Sequence, residues 1–323
     1  MDDDLLGDVL RDTGLRRRVL NLNELPVQTG LRFPCDRSIG LHLAVRGPLH
    51  VHAPGLATPL LLQRGDIALM ARGCDHVLSQ AATLDGVQIG TIGTPVLQAE
   101  TLHDGAVPGA VSETSAVFSG AYQFWTPPIH PFFAEMPAWL LLRAADLPQL
   151  GPIALTTSLI EAELGDAQPG RAVITQSLLD VLFAYALRHA TAQCAQARQG
   201  WSHAARDPQI HRALALMHAQ CEHPWTLEEL AQRVGLSRTA LAERFREALG
   251  DTPLNHLRTL RMQRAMQLLS NSELRLEAVA AAVGYQDAFG FSKVFKRTLG
   301  LSPREFRQQD AAEQGHPWRF KAG

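Results

Sequence analysis

The sequence lacks the features that would mark it as a secreted, membrane or zinc-ribbon protein. Its four cysteines, Cys35, Cys74, Cys194 and Cys221, lie far apart and include no C-x-x-C pair, which argues against a disulfide framework or a zinc ribbon. No apolar run approaches the roughly 20 residues that span a bilayer, so no membrane partner is expected. The N-terminus opens Met1-Asp-Asp-Asp, the wrong charge for a signal peptide, and a reducing cytoplasm is the expected compartment. Net charge is scarce too. Lys plus Arg number 30 against 32 Asp plus Glu, a balance of -2, so the whole molecule does not advertise a polyanionic partner. What is present is apolar: 46% hydrophobic residues over 323 positions can fill more than one core, and the length suits two domains with a connector.

The charge is unevenly distributed. Residues 206–307 carry 15 Lys plus Arg against 11 Asp plus Glu, a net of +4, which leaves -6 for the remainder. The same stretch holds one pattern written twice. The first copy runs from Thr226 to Phe245 and the second from Leu276 to Phe295. Each has a short apolar helix, a Gly turn, a polar helix start and a second helix that ends on Phe and a basic residue. Val234-Gly235 recurs as Val283-Gly284 after 49 residues, whereas Phe245, Gly250 and Pro253 recur as Phe295, Gly300 and Pro303 after 50. One residue has been added in the second turn and register is otherwise kept, as expected of a duplication.

Local signals place the elements. Thr226 is an N-cap, with Glu229 completing a capping box. Gly235 supplies a turn with positive φ, and Ser237 caps the second helix. Leu241, Phe245 and Leu249 form the apolar side of that helix, opposite Arg238, Thr239, Ala242, Glu243 and Arg246. Thr252 then caps a longer helix with Pro253 at its first position. It runs to about Leu269, carries Arg258, Arg261 and Arg264, and joins the two copies. A polar face near the start of a second helix is what enters a major groove in helix-turn-helix proteins.

Three stretches carry a close resemblance: Val283-Gly-Tyr-Gln-Asp287, Phe291-Ser-Lys-Val-Phe-Lys296 and Gly300-Leu-Ser-Pro-Arg-Glu-Phe-Arg307. Over roughly Asp207 to Arg307 the chain resembles the AraC/XylS family of bacterial transcription regulators. The resemblance implies seven helices, two helix-turn-helix units on one rigid helix, and a grip on about two turns of double-stranded promoter DNA. Carried over by position, base-facing residues are Thr239, Ala242 and Glu243, with Arg238 nearby, and then Gln286, Ala288, Phe289, Ser292 and Lys293. Arg246 and Lys296 are candidate phosphate contacts. Ala242 and Glu243 stand where the family often has longer polar or basic side chains, and Gly290 lies inside the second reader.

The N-terminal half reads differently. Short apolar runs (Leu41 to Val45, Leu60 to Leu62, Ile67 to Met70) alternate with turns such as Arg64-Gly-Asp66, the rhythm of a compact β structure over about Leu20 to Val117. Pro- and aromatic-rich sequence from Ser119 to Pro152 is expected to be irregular. The runs Gly40 to Gly47, His50-Val-His52, Arg64-Gly-Asp66 and Gly73-Cys-Asp-His76 resemble a cupin barrel. Such domains hold small effectors or a metal. His42, His50, His52 and His76 are candidate effector or divalent-metal ligands: His50 and His52 share one strand face, and three imidazoles would hold a metal were His76 to join them inside the barrel, the alternative being a structural or solvent-facing role. No glutamate occurs between Glu24 and Glu100, so the cupin metal glutamate is missing. Cys35 and Cys74 are a candidate thiol switch, with Arg37 and His76 nearby, the commoner alternative being buried inert cysteine.

Two helical patterns follow, 153–164 and 172–193. Leu178, Leu179, Leu182, Phe183, Ala186 and Leu187 form a stripe that suits internal packing or a dimer seam. The expected architecture is α+β and multidomain. It comprises a cupin-like effector-sensing barrel over 1–150 and a helical dimerisation connector and linker over 151–205. An all-α double helix-turn-helix domain over 206–310 and a tail over 311–323 complete it. The expected function is a homodimeric, effector-controlled transcription regulator that alters promoter occupancy or, as an activator, recruits RNA polymerase. The rival reading is a cupin metalloenzyme with an oligomerising helical half.

Overall fold

The computed structural model describes residues 18–35, 38–92, 114–123, 136–165, 168–194 and 207–313, with Gly7 and Phe133 as isolated positions. The chain divides into two compact units. One comprises the described residues of 16–123 and 137–190; the other is built on 191–314.

The first unit is a two-layered β structure. Its strands are β1 (Arg18–Pro26), β2 (Thr29–Pro34), β3 (Ser38–Arg46), β4 (Leu49–His52), β5 (Leu60–Leu62), β6 (Ile67–Met70), β7 (Asp75–Ser79), β8 (Gln88–Thr91), β9 (Thr114–Gln123) and β10 (Trp139–Leu142). One sheet has the order β1-β9-β3-β6-β10 and the other β5-β4-β7-β2-β8. All pairs are antiparallel except β2 with β8. β9 straddles the start of the stretch expected to be irregular and β10 lies within it. The prolines between them hide a four-residue apolar strand, Trp139 to Leu142, whose partner β6 is some seventy residues away and invisible to local pattern.

Alternation fixes what each face meets. Ala44, Val117 and Ala121 join Phe33, Val51, Leu78 and Met70 in the core between the sheets. The other face of β9 meets a helix. Here α1 (Pro152–Gly165) and α2 (Arg171–Cys194) follow β10, and Gly120 lies so close to α2 that a Cβ would sit 2.4 Å from a Leu179 methyl. Tyr122 packs against Phe183, 4.4 Å between ring centres and tilted by 35°, and its hydroxyl donates to Asp180 at 2.6 Å. The apolar stripe of α2 is therefore core: Leu179, Leu182, Phe183, Ala186 and Leu187 are buried within their own unit. The Gly-Asp turn is structural as well. Buried Asp66 accepts from Gln63 N (2.9 Å), Ala144 N (2.8 Å) and Arg143 Nη1 (2.9 Å), tying the chain after β10 to the β5–β6 turn.

The second unit holds seven helices among its described residues: α3 (Pro208–Ala219), α4 (Leu227–Val234), α5 (Arg238–Leu249), α6 (Pro253–Asn271), α7 (Leu276–Ala282), α8 (Ala288–Leu299) and α9 (Pro303–Glu313). Thr226, Ser237 and Thr252 cap α4, α5 and α6 through their hydroxyls. The capping box is only half made. Glu229 N bonds Thr226 Oγ1, but the Glu229 carboxylate turns to His223 Nε2 at 2.9 Å. Asp207 caps α3 and is gripped by Arg244 of α5. Burial alone would raise the Asp207 pKa, but Arg244 and the N–H groups of Gln209 and Ile210 outweigh it and hold the carboxyl below its usual range. Of the linker expected over 196–207, only Asp207, the cap of α3, is among the described residues.

Candidate nucleic-acid interface

The two copies match in burial as well as in sequence. Residues 239–247 and 289–297 carry the same exposure class position by position, with Leu241, Phe245, Phe291 and Phe295 buried. The turns differ by the one inserted residue. Gly235 has φ 72° and is followed two residues later by the Ser237 cap. Gly284 has φ 78° and is followed three residues later by the Asp287 cap, which accepts from Gly290 N at 2.7 Å.

A single strut carries both copies. The 19 residues of α6 extend about 28 Å. Near its start His256 packs edge-on against Phe245 of the first copy, 5.6 Å between ring centres. Its later half supplies Met262, Ala265, Met266 and Leu269 to the core of the second, alongside Val279, Val283, Phe291 and Phe295. Arg261 clamps the middle. Its Nε donates to Cys221 O and its Nη2 to His223 O, each at 2.7 Å, and its guanidinium lies 5.8 Å over the Tyr285 ring. Gly284 completes this junction, since a Cβ there would stand 2.3 Å from Glu222 O. Sequence pattern places Arg261 on the rod without a role. No local signal could assign one, because its acceptors are backbone carbonyls some forty residues upstream.

On the readers, Arg238, Thr239, Glu243 and Arg246 of α5 are exposed and Ala242 is half-buried. Gln286, Phe289, Lys293 and Lys296 are exposed in the second copy, and Ala288 is half-buried. The Ser292 hydroxyl donates within the helix, to Ala288 O at 2.7 Å, which leaves only its acceptor lone pairs for another group. The faces differ in charge. α5 exposes Arg238 and Arg246 with Glu243 and Glu247, whereas α8 exposes Lys293, Lys296 and Arg297 without an acid.

In the β unit the candidate metal cluster of His50, His52 and His76 does not form. Val51 pairs with Leu78, so His76, two residues from Leu78, faces inward while His50 and His52 face the other side of the sheet. Their rings bond Gln80 O and Ala81 O, each at 3.0 Å. Among the described residues no three His, Cys, Asp or Glu side chains are grouped to hold a metal. His76 instead meets His42, Nε2 to Nε2 at 2.8 Å, between Phe33 and Trp139. His42 Nδ1 lies 2.7 Å from Ser119 Oγ and His76 Nδ1 2.9 Å from Cys74 O.

A carbonyl only accepts, so His76 carries its proton on Nδ1, His42 donates Nε2–H to His76, and Ser119 donates to His42. Burial pushes the His76 pKa down to about 4 against smaller upward effects of the Cys74 carbonyl and Asp75, and burial and then the charge of His76 push His42 well below its usual value. Cys35 is 1% exposed, unlike the accessible thiolate a redox switch requires; Cys74, partly buried, packs against the same core. Arg37 lies outside the described residues. An open cleft of about 500 Å³ runs along β1, β2 and β8, lined by Asn23, Leu25, Thr29, Leu31 and Ile89 among others.

A β-sandwich joined to two capped readers on one strut defines a sensor-plus-double-helix-turn-helix protein. Comparison with known sequences agrees. A family profile described as cupin matches residues 4–192, and one described as a helix-turn-helix domain matches 230–309. The chain is 30% identical over 277 residues to the HTH-type transcriptional regulator AlkR of Acinetobacter baylyi, covering 83% of this chain and 87% of that protein. It is 26% identical over 281 residues to a putative AraC-like transcription regulator of Streptomyces lividans, covering 86% and 89%. A solved AraC-type DNA-binding domain protein from Chromobacterium violaceum aligns at 32% identity over 33% of this chain and 96% of that one, with a TM-score of 0.32. The chain belongs to the AraC-type helix-turn-helix transcription regulators with an N-terminal cupin domain. No helix among the described residues is long and apolar enough to cross a membrane.

Proposed function

We propose that this protein is a sequence-specific, DNA-binding transcription regulator of the cytoplasm whose promoter occupancy follows a signal sensed in the cupin unit. The observation that carries the reading is the 50-residue repeat of one exposure pattern, which offers two polar reader faces from a single compact unit. The basic residues late in α8, Lys296 and Arg297, suit phosphates, while the first turn of α8 and the mixed face of α5 suit base edges. Glu243 repels phosphate but accepts well from cytosine N4. Sites selected from a random duplex pool should bind with a steep salt dependence. The pair Arg246→Ala and Lys296→Ala, both exposed, should cost about tenfold or more in affinity and lower the log–log salt slope by about 1.8, roughly 0.9 for each phosphate no longer neutralised. Equal affinity for all duplexes, or an unchanged slope in the double variant, contradicts the reading.

The regulator acts as a homodimer in this proposal, and a small effector entering the β1–β2–β8 cleft shifts how the readers are presented to DNA and RNA polymerase. It needs no catalytic residue. Support for the dimer comes from α1 and α2, whose outward sides expose Leu155 (48%), Leu159 (56%) and Val173 (68%) while the inward stripe of α2 is already used. Burying two such leucines contributes about 3 kcal/mol or more. Leu155→Asp with Leu159→Asp should therefore weaken dimerisation about 100-fold in sedimentation equilibrium while leaving the circular dichroism spectrum intact. An unchanged dimer constant places the contact elsewhere.

A further inference from the structure

We infer that Phe289 reads a thymine through its C5 methyl group, which makes it a specificity-determining residue of the second reader. The inference rests on the DNA-binding reading above and deepens it. Phe289 is 82% exposed and is the only aromatic among the large exposed hydrophobics of the described residues. It is the second residue of α8, in the turn whose side chains meet base edges when a reader helix enters the groove. Cα–Cβ bonds in a helix tilt toward its N-terminus, so the phenyl ring leads. Neighbouring Gly290 adds no side chain, and a Cβ there would meet the Asp287 carboxylate at 3.2 Å, so the first turn is slim beside the ring. Lys293 and Lys296, four and seven residues on, share its exposed side; Lys296, the further from the first turn, suits a flanking phosphate.

The chemistry of the ring narrows the target. A phenyl group neither donates nor accepts a hydrogen bond. In the major groove guanine, adenine and cytosine are read through polar edge atoms, and thymine alone adds a methyl group. At the matching position, 50 residues earlier, the first reader has Thr239, also exposed, which keeps a hydroxyl for polar contact. The two readers thus differ at this position, one able to hydrogen-bond and the other restricted to an apolar contact.

The test replaces thymines of a selected site one at a time by deoxyuridine, which removes only the methyl group, and measures affinity for the wild-type full chain and for Phe289→Ala. The expected result is one position, on either strand under the second reader, at which wild-type binding falls about fourfold, the worth of one buried methyl. Phe289→Ala should bind the thymine site about fourfold more weakly and be indifferent to deoxyuridine there. Because the ring is exposed, the variant should melt as the wild type does. Wild-type affinity unaffected by every deoxyuridine, or losses that persist equally in Phe289→Ala, overturns the inference while leaving site-specific binding intact. Failure to select any site removes the reading beneath it as well.

Discussion

Gly284→Ala should cripple the DNA-binding unit while Gly235→Ala, the same motif position in the first copy, should be nearly tolerated. Both glycines have positive φ, 78° and 72°, and an L-residue in that region costs about 1–2 kcal/mol. There the likeness ends. Around Gly235 the nearest atom to an added Cβ is Gln209 Nε2 at 4.0 Å. Around Gly284 the added atom would lie 2.3 Å from Glu222 O, 2.9 Å from Glu222 C and 2.8 Å from Arg261 Nη2. Two of those three are backbone atoms, in the segment Arg261 holds by its bonds to Cys221 O and His223 O. The Glu222 backbone cannot swing aside as a side-chain tip would, and Arg261 Nη2, though a side-chain tip, is tied to His223 O at 2.7 Å. Overpacking adds about 1–3 kcal/mol to the strain, for a total on the order of 4 kcal/mol. For a unit of about 100 residues that lowers Tm by more than about 10 °C, against a few degrees for Gly235→Ala. Calorimetry of the two full-length variants checks it, and equal losses would show that the junction does not set the cost. DNA affinity should fall with stability in Gly284→Ala, since the junction fixes one reader relative to the other.

The cupin unit should lose stability steeply as pH drops from 6.5 to 4, and stay flat above 6.5. An unfolded histidine titrates near 6.5, whereas His76 in the folded chain titrates at about 4. Between those values the unfolded chain binds the extra proton, so through His76 acid favours unfolding across that window. His42 is shifted in the same direction. His76 alone is worth on the order of 3 kcal/mol, at 1.36 kcal/mol per pKa unit. The cause is geometric. The chain from Ser119 through His42 and His76 to Cys74 O has one proton per link, and a further proton would set N–H against N–H at the 2.8 Å Nε2–Nε2 contact. Asp75 is the nearest compensating charge, and Arg32 engages it, Nε to Oδ1 at 2.8 Å. Nitrogen NMR should find His76 protonated on Nδ1 and His42 on Nε2 down to about pH 5. A signal from either ring that titrates near 6.5 would refute the buried neutral pair.

Where sequence and structure diverge, the missing information is non-local. His50 and His52 do share a face, as strand alternation requires, but whether His76 joins them depends on the register of β4 against β7. A slip of one residue reverses the answer. The pairing of Val51 with Leu78 excludes it and leaves His76 for His42, thirty-four positions earlier. The α2 stripe is legible as an apolar face, yet only the sheet beneath it decides that Leu179 meets Gly120. Glu229 stands at the right spacing for a capping box and finds His223 instead.

The sequence by itself determined the double reader. Thr226, Ser237 and Thr252 cap their own helices, Gly235 and Gly284 turn the chain where they stand, and the 49- and 50-residue offsets record the duplication. All of these act over a few residues, within reach of propensity and hydrogen bonds along the chain. Tertiary structure alone decided the junction at Arg261 and Gly284, the buried Ser119–His42–His76 chain and the outward side of α1. Each joins groups tens of residues apart or depends on which face is covered, and the covering is settled only when strands pair and helices pack.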